Sequence, residues 1–410
     1  MKHRPKSAAL LFAALLPLAA AAWAYCQQPV ASFYYDESGH VIRQEQDTNG
    51  DGKMDRWIYY NAKGQTERVE QDSNFDGKAD IVIYYEAGKP VRQEIASKND
   101  GQIDTWLYLN AKGEVERKGQ DTDHSGKPSL WIYYENGQPV RSEEVGTATN
   151  VARRQVYYKD GKISRVEEDT QGNGKPDSFS YFENGQLVRK ELDRKHVGKI
   201  DLWGYYQDGR LIRQQEDLRD DGKISRTVYF RGDEVVRREE DTGGRGRTDM
   251  VEFFSHGKLV TRLSETKASG KWDTAYYFQD NQLIREERDT KGTGVFDFRI
   301  IYDKGQIIAQ EADTNGDRRV DVWVSFQNGE RVEQLEDQNY QSKITARYVF
   351  KGGQMVGQEQ VDNAEPPHVS VPFITVEEAL ANGARESGAA ALGTPGENTI
   401  SGLVSGTEIK

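Results

Sequence analysis

From about residue 31 to residue 362, short aromatic segments alternate with short polar segments. Residues 55–60, with the sequence Asp-Arg-Trp-Ile-Tyr-Tyr, are a typical aromatic segment, and residues 41–47 are a typical polar one. Aromatic and β-branched residues crowd the first kind, and no apolar stripe with a 3.6-residue period is present. Both kinds therefore predict β-strands rather than helices.

Turn signals separate these strands at a nearly constant interval. Dipeptides such as Asn136-Gly137 and Asp160-Gly161 tolerate the positive φ angles that a type I′ hairpin turn requires. Longer Asn-Ala-Lys-Gly loops replace the dipeptide at residues 61–64 and 110–113. The turn positions recur every 23 to 25 residues, at Gly39, Gly64, Gly88, Gly113, Gly137, Gly161, Gly185, Gly209, Gly232, Gly257, Asn281, Gly305, Gly329 and Gly352. So regular a period predicts one repeat array over residues 25–362 rather than several globular domains.

Consecutive hairpins predict an all-β fold, an elongated antiparallel β-meander of about 13 tandem repeats of ~24 residues. At about 4.8 Å per strand this ribbon is roughly 120 Å long, and we expect it to twist or coil strongly. Both faces of the aromatic strands are apolar, with Trp57 and Tyr59 on one and Ile58 and Tyr60 on the other. We therefore expect the sheet to bend and bury one face, while aromatic side chains of neighbouring repeats stack on the other.

The two ends of the chain differ from the repeats. Residues 1–24 have a basic start, an apolar run and small residues before Tyr25, which predicts a cleaved secretory signal. An uncleaved membrane helix is the alternative, although the apolar run is short for one. Cys26 follows the predicted cut closely; we favour soluble export, with lipid attachment at Cys26 as the alternative.

Beyond residue 362 the period stops. Residues 363–410 predict a flexible tail, because they contain Pro366-Pro367 and then a stretch rich in Gly, Ala, Ser and Thr. Thr375 and Glu378 form a capping-box pattern, which predicts a short helix that ends near Arg385.

Composition narrows the class of protein. The chain of 410 residues is 36% hydrophobic and 30% charged, with a net charge of −12, which by itself would suggest disorder. Its 7 Trp, 21 Tyr and 14 Phe argue for a folded chain. One cysteine excludes a disulfide framework and cysteine-based metal sites, and the acidic balance disfavours nucleic acid as a partner.

Two family resemblances support the hairpin array. The pattern Tyr34-Tyr35-Asp36-x-x-Gly39, followed by Asp47-x-Asn49-Gly50, resembles the YD repeats of RHS-type shell proteins. Residues 133–143, with the pattern Tyr-Tyr-x-Asn-Gly-x-x-x-x-Glu, are similar to variant MORN repeats. Both families form runs of β-hairpins, so the resemblance implies a hairpin architecture and a binding or scaffolding role, and it transfers no catalytic residue.

Some loops between repeats predict calcium sites. In residues 47–55, side-chain oxygens stand at loop positions 1, 3, 5 and 9 and a glycine stands at position 6. Ca²⁺ prefers six to eight oxygen ligands, which such alternation can direct to one point. The alternative is that these residues only form turns, since several equivalent loops lack the full set. The candidate ligands are Asp47, Asn49, Asp51, Asp55, Asp72, Asn74, Asp76, Asp80, Asp313, Asn315, Asp317 and Asp321.

The polar strands share the pattern Arg-x-Glu-x-Asp, as in Arg43, Glu45 and Asp47. These residues lie on one face of a strand, because side chains alternate along it. The face is either a ladder that binds a polyanion or a peptide, or a solvated surface of mixed charge, and we favour the second.

Aromatic pairs on the other strands have two interpretations. They either pack between neighbouring hairpins, which we favour, or stack on sugar rings. The pairs are Trp57 and Tyr59, Trp106 and Tyr108, Trp131 and Tyr133, and Trp203 and Tyr205.

No nucleophile elbow, phosphate loop or HExxH helix is present, and the histidines are scattered. The sequence therefore predicts a non-catalytic exported scaffold that is periplasmic, outer-membrane-associated or extracellular. Its expected partners are other envelope or extracellular proteins. The alternative is a carbohydrate- or cell-wall-binding module that uses the Trp and Tyr side chains.

Overall fold

The computed structural model describes residues 30–98, 100–146, 151–368 and 370–389. The predicted signal segment and Cys26 lie outside these residues. The chain divides into two compact units, residues 1–128 and 129–410. Within the described ranges, no helix has the length and apolarity that crossing a bilayer requires.

The described part of the chain is almost entirely β-structure, which confirms the all-β prediction. The first unit contains β1 (Ala31–Tyr35), β2 (Val41–Gln46), β3 (Arg56–Tyr60), β4 (Thr66–Gln71), β5 (Ile81–Glu86), β6 (Lys89–Ile95), β7 (Thr105–Leu109) and β8 (Val115–Gln120). The second unit contains β9 (Leu130–Glu135), β10 (Gln138–Gly146), β11 (Val151–Lys159), β12 (Lys162–Glu168), β13 (Ser178–Glu183), β14 (Gln186–Leu192), β15 (Leu202–Gln207), β16 (Arg210–Glu216), β17 (Arg226–Arg231), β18 (Glu234–Glu240), β19 (Met250–Ser255), β20 (Lys258–Ser264), β21 (Thr274–Gln279), β22 (Gln282–Arg288), β23 (Phe298–Asp303), β24 (Gln306–Ala312), β25 (Val322–Gln327), β26 (Glu330–Glu336), β27 (Ile344–Lys351), β28 (Gln354–Ala364) and the helix α1 (Val376–Glu386).

Within each unit, every strand pairs antiparallel with its neighbours in chain order, as a meander of tandem hairpins requires. The hairpin turns have the predicted chemistry. Asn136 and Gly137 have φ angles of 49° and 74°, which the type I′ turn needs. In the longer loop at residues 61–64, the Gly64 N–H donates to the carbonyl oxygen of Asn61 at 2.8 Å.

Each hairpin of the described residues contains a β-bulge that the sequence did not reveal. In the first hairpin Tyr34 lies opposite Arg43, but Tyr35 lies opposite Val41, so Ile42 is the extra residue. The later hairpins show the same register shift, for example between β13 and β14. The bulge places the arginine of the second strand directly opposite the first tyrosine of the Tyr-Tyr pair, on the same face of the sheet.

The strands β3 and β9 do not bury one face as expected. Every residue of β3 is half-buried, and so are the first five residues of β9, on both faces. A continuous hydrophobic core of the described residues lies in the second unit, where Val251, Phe253 and Leu263 have no exposed surface.

That core exists because the C-terminal segment, residues 370–389, packs on the sheet; we call this segment the strap. The helix α1 forms where the sequence predicts it, since the Glu378 N–H donates to Thr375 Oγ1 at 3.0 Å and the Thr375 N–H donates to Glu378 Oε2 at 2.7 Å. Its buried residues Val376, Ala379 and Gly383 form one face that contacts the sheet at β19 and β20. The prediction of a flexible tail over residues 363–410 is therefore wrong for the strap, and residues 390–410 lie outside the described part.

A close approach between the helix α1 and the sheet yields a prediction. A Cβ atom at Gly383 would lie 2.5 Å from Cδ2 of Phe253, although alanine itself favours a helix by about 1 kcal/mol. We expect Gly383→Ala to destabilise the docked strap by about 1–3 kcal/mol, because a buried ring or the helix must shift. Hydrogen exchange of residues 376–386 measures this.

The matched control is Asn382→Ala, which introduces the same residue at the exposed neighbouring position. Exchange in the control should stay as slow as in the unchanged protein. Equal protection in Gly383→Ala would contradict the described packing.

Candidate binding face

The bulges align tyrosines and arginines into a row that crosses the strands on one face; we call it the tyrosine–arginine row. Most of these arginines lie opposite a tyrosine of their own hairpin and also opposite a tyrosine of the next one. In the first unit the row consists of Tyr34, Arg43, Tyr59, Arg68, Tyr84, Arg92, Tyr108 and Arg117. In the second unit it includes Tyr133, Arg141, Tyr157, Arg165, Tyr181, Arg189, Tyr205, Arg213, Tyr229, Arg237, Tyr277 and Arg285.

Arginine stacking replaces the expected stacking of aromatic rings in this row. The guanidinium carbon of Arg43 lies 4.2 Å from the centre of the Tyr34 ring, and Arg189 lies 4.2 Å from the Tyr181 ring. Such cation–π contacts contribute about 0.5–2 kcal/mol each, depending on how far they are desolvated. Because an arginine stands between successive tyrosines, the rings of neighbouring repeats are held apart rather than stacked.

A second row runs beside the first on the same face; we call it the tryptophan–glutamate row. Its glutamates come two residues after the arginines, and its tryptophans come two residues before the tyrosines. In the first unit the row includes Glu45, Trp57, Glu70, Glu94 and Trp106. In the second unit it includes Trp131, Glu143, Glu167, Glu191, Trp203 and Glu239.

Ion pairs and hydrogen bonds join the two rows. Arg43 Nη2 lies 2.6 Å from Glu45 Oε1, and the Tyr34 hydroxyl donates to Glu45 Oε2 at 2.8 Å. The same contacts recur with Tyr181 and Glu191, where burial and then the charge of Glu191 raise the pKa of the Tyr181 hydroxyl. The hydroxyl therefore stays protonated and donates its hydrogen at neutral pH.

The predicted shared face of the Arg-x-Glu residues is thus confirmed, but the residues beside them are aromatic. In each unit, the candidate sugar-stacking residues of that unit lie on this face. Four of them, Trp57, Trp106, Trp131 and Trp203, belong to the tryptophan–glutamate row, and the other four, Tyr59, Tyr108, Tyr133 and Tyr205, belong to the tyrosine–arginine row. The eight side chains are half-buried.

The strap covers a part of the same face where the repeat pattern changes. Phe253 and Thr261 stand where a tyrosine and an arginine are usual, and Leu263 replaces the glutamate. The helix α1 packs on these apolar residues. The hairpin of β19 and β20 lacks the Arg-x-Glu pattern, so the sequence does mark this departure from the repeat. That another segment covers the hairpin was not predicted from the sequence.

A polar cluster lies under the extended part of the strap. Arg299 Nε donates to Glu287 Oε1 at 2.7 Å, Arg299 Nη1 donates to Glu311 Oε2 at 2.6 Å, and Arg299 Nη1 also donates to the carbonyl oxygen of Val371 at 3.0 Å. Burial acts to raise the pKa of the Glu311 carboxyl, but hydrogen bonds from His368 and Ser370 outweigh it and lower the pKa. Glu311 is therefore an ionised acceptor under the strap.

In the first candidate calcium loop, the four predicted ligands bind the loop itself. Asp47 accepts the N–H groups of Gly50 at 2.6 Å and Gly52 at 2.8 Å. Asp55 accepts the N–H of Thr48 at 2.9 Å and its hydroxyl at 2.7 Å. The Asn49 side chain donates to Asp51 at 3.2 Å, while its oxygen accepts the Asp51 N–H at 2.8 Å.

The other two candidate loops repeat these contacts. Asp72 accepts the Gly77 N–H at 2.7 Å, and Asp313 accepts the Arg318 N–H at 2.7 Å. The corresponding bonds involve Asn74, Asp76, Asp80, Asn315, Asp317 and Asp321. Among the residues that the structure describes, no group of three or more His, Cys, Asp or Glu side chains is placed to hold a metal ion. Calcium binding stays a prediction of the sequence pattern.

The chain resembles known proteins only distantly. No protein-family model and no curated protein matches the chain. A structure of accessory secretory protein 1, 2 and 3 from Streptococcus pneumoniae is 22% identical over 22% of this chain and 18% of that chain, with a TM-score of 0.19. A structure of TcdB2-TccC3 is 11% identical over 78% of this chain and 22% of that chain, with a TM-score of 0.16. One of TarM from S. aureus is 9% identical over 34% of this chain and 21% of that chain, with a TM-score of 0.13.

The matches span about a fifth of the length of each of these solved chains. Likeness this low carries no argument about the role of the protein. The tandem antiparallel hairpins implied by the resemblance to YD and MORN-type repeats are present, while membership of either family stays an interpretation.

The loop carboxylates predict how stability depends on pH. Burial acts to raise the pKa of Asp169, but hydrogen bonds from the N–H groups of Gly174 and Asn173 outweigh it, so the pKa lies below its usual value. A lowered pKa stabilises the fold above the unfolded pKa, which is about 3.9, and this stabilisation is lost as the pH falls through the folded value. We expect urea midpoints to be constant from about pH 7 to pH 5 and to fall below about pH 4.

The variant Asp169→Asn removes one such carboxylate and should lower the midpoint at pH 7 while reducing the fall in acid. Asp160→Asn is the control, because Asp160 is an exposed hairpin-turn residue at which asparagine is equally suited. An acid-induced fall of the same size in both variants would show that the Asp169 loop bonds do not carry the effect.

Proposed function

We propose that this protein is a non-catalytic repeat scaffold that binds other polypeptides on the face formed by the tyrosine–arginine and tryptophan–glutamate rows. The observation that carries the proposal is the strap, a polypeptide segment that lies on this same face in the second unit. Over most of the strands that precede β19, residues of the same two rows are half-buried and offer rings, guanidinium groups and carboxylates.

The regularity of the face favours binding over catalysis. An active site needs a unique group with a tuned environment, whereas each Tyr–Arg–Glu contact recurs from hairpin to hairpin. A repeated surface instead suits a long partner or several partners at once. We therefore propose no enzymatic activity and no nucleic-acid partner.

We propose that the scaffold works outside the inner membrane. The basic and apolar pattern of residues 1–24 supports export, and Cys26 would be the attachment point if a lipid anchors the mature chain. Envelope or extracellular proteins are then the expected partners.

Binding of carbohydrate is the second candidate function. Its specific support is that the tryptophans of each unit lie on one face of that unit, Trp57 and Trp106 in the first and Trp131 and Trp203 in the second, and remain half-buried rather than buried. Aromatic rings with a free face can stack on sugars. This candidate predicts selective glycan binding that is lost in the triple variant Trp57→Ala, Trp106→Ala, Trp131→Ala.

A photo-crosslinking experiment tests the polypeptide proposal. Phe179 and Phe182 are half-buried aromatic residues of the same strand, but an odd spacing places them on opposite faces, with Phe179 in the tryptophan–glutamate row. A photoreactive phenylalanine analogue at position 179 should give polypeptide adducts in an envelope extract, and the analogue at position 182 is the matched control.

Equal adducts from both positions would contradict the use of this face. Adducts that contain only glycan, together with selective binding on a glycan array, would support the carbohydrate alternative instead.

We also propose that calcium stabilises the loops at residues 47–55 and 72–80. One feature of the second loop supports this, because Asp80 Oδ1 is buried and lacks a hydrogen-bond partner among the described residues. Millimolar calcium should then raise the melting temperature and release or absorb heat in calorimetry. The variant Asp76→Asn should weaken the response, and an absent response in the unchanged protein would refute calcium binding.

A further inference from the structure

The strap shows how this face binds one particular chemical group, an aliphatic hydroxyl. Trp323 Nε1 donates a hydrogen bond to Ser370 Oγ at 3.0 Å, and Ser370 Oγ donates to Glu311 Oε1 at 2.8 Å. Glu311 and Trp323 lie directly opposite each other on β24 and β25. The serine hydroxyl therefore bridges an indole donor and a carboxylate acceptor that belong to adjacent strands.

Three further pairs of the tryptophan–glutamate row have the same arrangement. In each, a glutamate on the second strand of one hairpin lies directly opposite a tryptophan on the first strand of the next. The pairs are Glu45 with Trp57, Glu94 with Trp106, and Glu191 with Trp203. The register that places Ser370 between Glu311 and Trp323 thus recurs at three places where the strap does not lie.

These three pairs retain capacity for a ligand. The glutamate side chains are 13%, 15% and 15% exposed, whereas Glu311 under the strap is 2% exposed. Glu45 Oε1 accepts from Arg43 and Glu45 Oε2 accepts from Tyr34, but each carboxylate oxygen has two lone pairs. The indole N–H groups of Trp57, Trp106 and Trp203 have no hydrogen-bond partner within the described ranges.

We propose that each of these Glu–Trp pairs binds the hydroxyl of a serine or threonine in an extended segment of a partner polypeptide. This inference rests on the proposed scaffold function and names the chemistry of its partner. A polypeptide is favoured because the strap uses two further contacts. Its backbone carbonyl at Val371 accepts from Arg299, and the Phe373 ring lies 4.6 Å from the Arg299 guanidinium carbon.

Guanidinium groups are also available beside the three open pairs. Arg43, Arg92 and Arg189 come two residues before the three glutamates and are 36%, 37% and 42% exposed. Each could donate to a backbone carbonyl or face an aromatic side chain of a segment whose hydroxyl lies at the pair. A serine or threonine followed closely by an aromatic residue is therefore the pattern expected in the partner.

Fluorine NMR of the full chain labelled with 5-fluorotryptophan tests the inference. The probe is a synthetic peptide with the sequence of residues 366–376, which contains Ser370 and Phe373. We expect it to shift the resonances of Trp57, Trp106 and Trp203 and to leave that of Trp323 unchanged, because the protein's own strap already occupies that site. Trp→Phe variants assign the resonances and remove one donor at a time.

The matched control changes the peptide and not the protein. A peptide with Ser370→Ala should bind roughly tenfold more weakly, the effect of losing a hydrogen bond to a charged acceptor. Equal affinity of the two peptides, or no shift at the three tryptophans, would overturn the inference. Shifts produced by an N-acetylglucosamine tetramer and not by the peptide would overturn it in favour of a sugar hydroxyl.

A negative result for the hydroxyl-binding pairs can be told apart from a negative result for the scaffold proposal. Polypeptide adducts from position 179 without any peptide-induced shift would leave the binding face intact and remove only the hydroxyl sites.

Discussion

The structure depends on the contact between a tyrosine, an arginine and a glutamate, which recurs in many of the described hairpins. A single-layer sheet has no second layer to cover its faces, so the side chains on a face must shield one another. The guanidinium group of Arg43 covers the ring of Tyr34, and Glu45 binds both. An isolated surface ion pair is worth only about 0–1 kcal/mol, but here each charge is also packed against a ring and joined to the next strand. Stability is thus spread along the array, as in other repeat proteins.

The β-bulge is what makes this contact geometrically available. If Ile42 were paired regularly instead of bulged, it would lie opposite Tyr34, and Arg43 would lie opposite Phe33 on the other face of the sheet. The loops fix the other end of each hairpin, because carboxylates such as Asp47 and Asp55 accept backbone N–H groups of a turn that has few other partners. This role explains why acidic residues persist in the loops whatever their capacity for calcium.

Where the strap packs on the sheet, a conventional hydrophobic core replaces the Tyr–Arg–Glu contacts. Phe253, Thr261 and Leu263 cannot form the Tyr–Arg–Glu contact, and the apolar face of the helix α1 covers this region instead. Nearby, Arg299 and Glu311 bind the extended part of the strap through its backbone and through Ser370. The same face therefore shields itself where it is polar and aromatic, and needs a covering segment where it is apolar.

The sequence by itself determined the strands, the turns and the period, because these depend on local signals such as Asn136-Gly137 and the alternation of side chains. It also determined that Trp57 and Tyr59 share a face, and that Thr375 and Glu378 cap a helix. Only the tertiary structure decided that Arg43 packs on Tyr34. The bulge shifts the register by one residue, and no residue type in the sequence indicates where it occurs. The tertiary structure also decided where the strap packs, because that contact joins residues far apart in the chain. The lost Arg-x-Glu pattern at Thr261 and Leu263 indicates a departure from the repeat, but not which segment covers it.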